Sequence, residues 1–184
     1  MKVKINQSIL ELVIGDITLQ ETDIIVNAAN SQLAGGGGVD GAIHRAGGPS
    51  ILAETRQKYP EGCPTGQAVI SGAGQLVARY VVHTVGPVWG GGQDHEEERL
   101  ASAYRRSLEV VLKNGCSSVA FPSLSTGAYG YPLDLASRCA LTTVIAFLKE
   151  KEKPEWVRFV LFNELAYAAY SAALTDLLVE EKGP

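Results

Sequence analysis

Short apolar runs alternate along this chain with longer stripes in which apolar residues return every three or four positions, the pattern of strands interleaved with helices. Val3–Ile5 and Leu10–Ile14 read as two short strands, the second broken by Gly15-Asp16-Ile17-Thr18. Asp23-Ile24-Ile25-Val26, running on to Asn27, is an apolar run of the kind expected for a strand buried on both faces. From the last of four consecutive glycines, Gly38–Ala46 reads as a helix start whose Asp40 and His44, four apart, share one face. Pro49 opens a second helix reaching about Lys58, in the first turn where proline is tolerated. A turn-rich connection, Tyr59–Gly66, leads to strands at Gln67–Ser71 and Tyr80–Val85, and then to a glycine-rich loop, Gly86–Gly92. The spacing predicts a long helix over Asp94–Asn114, with Leu100, Tyr104, Leu108, Val111 and Leu112 as its apolar stripe. Asp94 is its expected N-cap, Glu96, Glu97 and Glu98 complement its positive end, and Gly115 ends it. A short strand at Ser118–Phe121 precedes a helix from about Pro132 to Lys151, with Leu135, Cys139, Val144, Phe147 and Leu148 expected inward. Trp156–Phe162 is the last strand and Glu164–Val179 the last helix.

This alternation predicts an α/β domain with a largely parallel central sheet covered by helices on both faces. Ligands of such sheets bind beyond the carboxyl ends of the strands. The loops that begin at Asn27, Gly86, Pro122 and Phe162 all follow strands, so they are expected at one edge. A length of 184 residues suits a single domain over residues 1–184, without an internal repeat or low-complexity segment.

Composition adds few constraints. An apolar fraction of 46% and a charged fraction of 20% are those of ordinary globular proteins. A net charge of −4 argues against a general nucleic-acid or membrane-surface binder. The 16 basic residues leave three gaps, Lys4 to Arg45, Arg79 to Arg99 and Lys113 to Arg138, and these hold the three richest glycine segments. An anion bound there would rest on main-chain N–H groups and helix N-termini. Cys63, Cys116 and Cys139 form no CxxC pair, and the histidines show no metal-ligand spacing. They read as small buried hydrophobes in a reducing compartment. With no signal-peptide pattern and no membrane-length apolar run, the expected location is the cytoplasm.

Candidate chemistry concentrates at Asn27–His44. Four glycines in a row, Gly35–Gly38, pack nothing and cost backbone entropy, so they make sense where backbone must approach a ligand or converge its N–H groups on an anion. Gly36–Gly41 matches GxGxxG literally, but it stands too far from the strand end, and the next carboxylate, Glu54, comes too early for a dinucleotide fold. No GK[ST] follows, which excludes a P-loop.

Five motifs in order, Gly15-Asp-Ile-Thr18, Asn27-Ala-Ala-Asn30, Gly35–Gly38 with Val39-Asp40-Gly41, His83-Thr-Val-Gly-Pro87 and Ser125-Thr-Gly-Ala-Tyr-Gly-Tyr-Pro132, resemble a macrodomain of the MacroD type over nearly the whole chain. The resemblance implies a three-layer α/β/α fold that binds ADP-ribose, removes it from acidic side chains of modified proteins and deacetylates O-acetyl-ADP-ribose. It implies that Asp16 accepts from the adenine amino group, that Ile17 supplies a main-chain N–H, and that Phe162 stacks on adenine. Asn27 and Gly36, Gly37, Gly38 and Val39 join the ligand contacts. Ser125, Thr126, Gly127, Ala128 and Tyr129 wrap the phosphates, with Tyr129 beside the distal ribose. Its expected partners are ADP-ribose, its esters and mono-ADP-ribosylated proteins, with no cofactor, metal, membrane or nucleic acid.

Asn30, Asp40 and His44 carry the hydrolytic expectation. Asp40 is the only carboxylate between Asp23 and Glu54. A solvated Asp, with a pKa of about 3.9, is a weak base at neutral pH, so it would need partial burial or would chiefly orient a water. Asn30 offers a donor and an acceptor to a ribose hydroxyl. His44 either positions Asp40, bonds the substrate, or is structural. Several plainer roles stay open: Asp16 as a turn cap, Asp40 as an N-cap, Phe162 as core, Trp89 as either ligand cover or core cover. His83, inside an apolar strand, reads as a satisfied core histidine. Two rivals to the esterase remain: a non-catalytic ADP-ribose reader and a hydrolase of ADP-ribosylated nucleic acid.

Overall fold

The structure is a computed structural model that describes residues 1–180, so the end of the expected domain at residue 184 lies outside it. All seven expected strands form: β1 (Lys2–Ile5), β2 (Ser8–Ile14), β3 (Ile24–Ala28), β4 (Ala68–Gly72), β5 (Tyr80–Thr84), β6 (Ser118–Phe121) and β7 (Trp156–Leu161). So do the five helices: α1 (Gly38–Gly47), α2 (Ser50–Lys58), α3 (Glu96–Lys113), α4 (Leu133–Lys151) and α5 (Glu164–Glu180). The strands make one sheet in the order β1-β2-β7-β6-β3-β5-β4. The five inner strands are mutually parallel, and β1 and β4 pair antiparallel at the two edges. Carboxyl ends of β2, β7, β6, β3 and β5 therefore lie along one edge, where the glycine loops begin.

Period-two alternation decides which side chains meet which helix layer. Ile24 and Val26 of β3, with Val82, Phe121, Phe159 and Leu161, face the larger core, packed under Leu100, Tyr104 and Leu108 of α3, Phe147 and Leu148 of α4 and Tyr170 of α5. Ile25, Val81, Ala120 and Val160 face the other way, against Ile43 of α1 and Ile51 of α2. Asn27, two residues beyond Ile25, thus projects toward α1. Helices on both faces complete the three layers of an α/β/α sandwich. Among the described residues, no helix is long and apolar enough to cross a membrane.

Three local expectations change. Asp94 does not cap α3: His95, at φ 58°, is the N-cap residue, and Asp94 instead accepts a 3.0 Å hydrogen bond from Arg99 Nη1. Glu96 does more than face the helix dipole. Its carboxylate folds back and accepts from the N–H groups of Asp94 (2.7 Å), Gly90 (2.9 Å) and Gly92 (3.1 Å). These bonds, led by that from Asp94, pull its carboxyl down to about 2. Leu135, expected inward on α4, is 48% exposed, because its neighbours Ala136 and Cys139 take the buried face. A short 3-10 turn also forms at Ile17–Leu19, capped by Asp16 as one of its two readings anticipates.

Candidate functional site

A cleft runs along the carboxyl edge of the sheet. Its two chambers, of about 320 Å³ and about 810 Å³, share Gly38, Val39, Ser123 and Gly127 as common walls. Asn30, Gly36, Gly37, Asp40, Ser125, Ala128 and Tyr129 line the smaller chamber. Asp16, Ile17, Thr126 and Phe162 line the larger. The two glycine-containing loops, far apart in sequence, thus face one another across the junction.

In both loops the backbone has donors to spare. Gly35 and Gly38, at φ +78° and +56°, bend the first loop so that it enters α1 with the free N–H groups of the first helical turn. Among the described residues, no acceptor takes the N–H groups of Gly36 to Val39 or of Thr126 to Tyr129. Such rows of unpaired N–H groups, one at a helix N-terminus, are suited to a diphosphate. The second loop is held from beneath. Tyr170 Oη donates to Ser123 Oγ at 3.0 Å, and Tyr104 Oη accepts from Leu124 N at 3.0 Å. Thr126 Oγ1 donates to Ser123 O, at 3.1 Å, closing the turn.

The carboxylate of the site is Asp40, in the first turn of α1 and only 6% exposed. It is not the N-cap; that residue is Gly37. Asn27 Nδ2 donates to its Oδ1 at 2.7 Å, and His44 Nε2 lies 3.3 Å from the same oxygen. The other oxygen, Oδ2, takes no bond from the described residues and faces the first glycine loop, where a Cβ on Gly36 would stand 3.3 Å from it. Asn30 clasps that loop: its Nδ2 donates to Gly35 O at 2.8 Å and its Oδ1 accepts from Ala34 N at 3.1 Å. One amide hydrogen and one lone pair of Asn30 remain for a ligand.

Asn27, expected among the ligand contacts, is wholly buried and lines neither chamber. His44 sits behind Asp40, also off the walls. Asp16 caps the 3-10 turn, accepting from Thr18 N (2.8 Å) and Thr18 Oγ1 (2.7 Å), yet still lines the larger chamber. Phe162 is 87% exposed beside that chamber, so it is not core. The Trp89 ring tilts over Tyr131 at 4.5 Å while the main-chain N–H of Trp89 donates to Tyr129 O, so the residue braces the second loop from the side. His83 is a satisfied core histidine, bonded at both ring nitrogens, and burial foremost, then His44, lowers its pKa to about 4.

Sequence reasoning missed one cation. Arg45 lines the larger chamber, on the α1 face it shares with Gly38 and Ala42. Its helical spacing from Gly38 was the available signal. Ser123 and its tyrosine support had none, because Tyr104 and Tyr170 lie on α3 and α5.

A three-layer α/β sandwich whose strand ends carry two backbone-donor loops and a restrained carboxylate defines a nucleotide-diphosphate-binding class of domain. Residues 26–140 match the Macro domain family, and the chain belongs to it. It is 54% identical over 167 residues to a Cronobacter sakazakii protein named O-acetyl-ADP-ribose deacetylase, covering 90% of this chain and 93% of that one. The Oceanobacillus iheyensis macrodomain with ADP superposes at a TM-score of 0.93, with 48% identity over 98% of this chain and 97% of that one. The Trypanosoma brucei macrodomain in complex with ADP-ribose gives 0.83, with 43% identity over 90% of this chain and 68% of that one.

Proposed function

We propose that this chain binds ADP-ribose and hydrolyses its esters: O-acetyl-ADP-ribose, and ADP-ribosyl groups esterified to acidic side chains of proteins. The observation that carries this reading is the placement of Asp40 Oδ2 beside two loops of unpaired N–H groups, with Oδ1 tied down. The loops take the diphosphate, and the larger chamber, with Asp16, Ile17 and Phe162 along it, takes the adenosine. Asn30 and Tyr129 then flank the distal ribose in the smaller chamber. Binding energy from the nucleotide, remote from the bond that breaks, holds the ester against Asp40.

Asp40 Oδ2 orients a water and draws one of its protons as the water oxygen adds to the acyl carbon. The bond from that carbon to the ribose oxygen then breaks. The ribose oxygen takes the proton back from Asp40, and the other water proton leaves with the acid, which ionises to acetate. The deacetylase name of relatives above half identity supports this chemistry, and the ADP and ADP-ribose complexes of the neighbours support the ligand.

The test is release of acetate from O-acetyl-ADP-ribose by wild type and Asp40→Ala, beside calorimetric titration of ADP-ribose. Turnover is expected to fall by about 100-fold or more, at the scale of a lost proton-transfer group, while binding persists. Unchanged turnover would remove Asp40 from the reaction, and binding without turnover in the wild type would make the chain a reader. Parallel reactions with glutamate-linked ADP-ribosylated protein and ADP-ribosylated DNA identify the acceptor class.

A further inference from the structure

The β3–β5 register places His83 directly opposite Asn27, with both side chains on the α1 face of the sheet. The partners determine where the protons lie. Asn27 Nδ2 stands 2.7 Å from Asp40 Oδ1, so the amide must present its NH2 group there, because its carbonyl would oppose a carboxylate oxygen. That same Nδ2 lies 3.1 Å from His83 Nδ1, which must therefore accept. The imidazole proton is left on Nε2, 2.8 Å from Ser71 Oγ, and the Ser71 hydroxyl passes its own hydrogen to Gly72 O at 2.9 Å. Every donor in this row has an acceptor. Asn27 Oδ1 alone stays buried without a partner, and turning the amide over to use it would set oxygen against Asp40.

We infer that His83 is a positioning residue: through Nδ1 it fixes the Asn27 amide, which in turn holds Asp40 Oδ1 and leaves Oδ2 aimed at the cleft. His83 itself touches no ligand, being 1% exposed and absent from both chambers. The inference rests on the hydrolytic reading of Asp40.

Three measurements test it on the full chain. The 15N imidazole spectrum of the wild type is expected to show His83 protonated at Nε2 alone near neutral pH. A proton on Nδ1 would overturn the inference whether or not the chain turns over. His83→Leu, which supplies no acceptor, is expected to lower kcat for O-acetyl-ADP-ribose about tenfold or more, at the scale of a misplaced catalytic group, with ADP-ribose affinity within about twofold. His83→Asn, whose Oδ1 can stand where Nδ1 stood, is expected to recover most of that loss. Equal kcat in wild type and a folded His83→Leu, or no recovery in a folded His83→Asn, would overturn it. If His83→Leu fails to fold, Ser71→Ala serves instead: it removes the acceptor that keeps the proton on Nε2, and kcat is expected to fall while affinity holds. A wild type without turnover, but with Nε2 protonated, would refute the hydrolytic reading and leave the hydrogen-bond row standing.

Discussion

Gly41 sets two physical effects against each other. It lies inside α1, where replacing glycine by alanine ordinarily favours a helix by about 1 kcal/mol. Yet a Cβ at this position would stand 2.5 Å from the carbonyl oxygen of Gly36 and 2.9 Å from Arg45 Nη1. The arginine is exposed and can swing aside by itself; the Gly36 carbonyl is main chain and moves only with its loop. Ordinary contact begins at 3.4 Å, so the Gly36 carbonyl must retreat by about 0.9 Å, the difference between 3.4 and 2.5. Gly36 is exposed, so the loop has room to move and little folding energy is at stake. The cost falls on the ligand, because the same peptide lines the smaller chamber beside Asp40. A misplacement of about 1 Å in a positioned contact costs up to roughly 100-fold. Gly41→Ala is therefore expected to weaken ADP-ribose binding by about 10- to 100-fold in calorimetric titration, with the melting temperature within a few degrees of wild type. Wild-type affinity combined with a raised melting temperature would show that helix propensity dominates and that the close approach of α1 to the first loop is not needed.

Two further outcomes follow from single side chains. The three N–H bonds to Glu96 hold its carboxyl at about 2, below the ordinary 4.5, so their contribution to stability is complete above pH 4.5 and is lost as pH falls toward 2. Urea unfolding is expected to show Glu96→Gln less stable than wild type at pH 7, the gap closing between pH 4.5 and pH 2; a gap independent of pH would contradict this. Phe162→Ala, at an 87% exposed side chain, is expected to leave the melting temperature unchanged and to weaken ADP-ribose binding by roughly 5- to 100-fold, the scale of an aromatic stack on a base. Unchanged affinity would remove the aromatic ring from the adenosine site.

The sequence carried the architecture because the signals were local. The apolar run at Ile24–Val26 and the stripe from Leu100 to Val111 each announce their own element, and parallel strands send their following loops to one edge. The four glycines and the lone Asp40 were likewise legible as a backbone cradle with a carboxylate beside it. What was not legible depends on partners distant in sequence. Whether Asn27 meets a ligand or Asp40 depends on the alternation of β3 relative to α1. Glu96 reads as a dipole-complementing residue until the loop at Gly90–Asp94 is seen to close on it. The exposure of Phe162 depends on β7 ending at Leu161, one residue short of the apolar pattern. In sequence Arg45 only marks the end of a gap between basic residues, whereas the helix carries it to the cleft on the face of Gly38 and Ala42.

The central claim is that main-chain N–H groups of two loops grip the diphosphate. Titrating ADP-ribose into 15N-labelled protein tests it directly. The amides of Gly36 to Val39 and of Thr126 to Tyr129 are expected to shift downfield together, with the same midpoint, as they acquire an anionic acceptor. Saturation of the ligand with those amides unmoved would contradict the account.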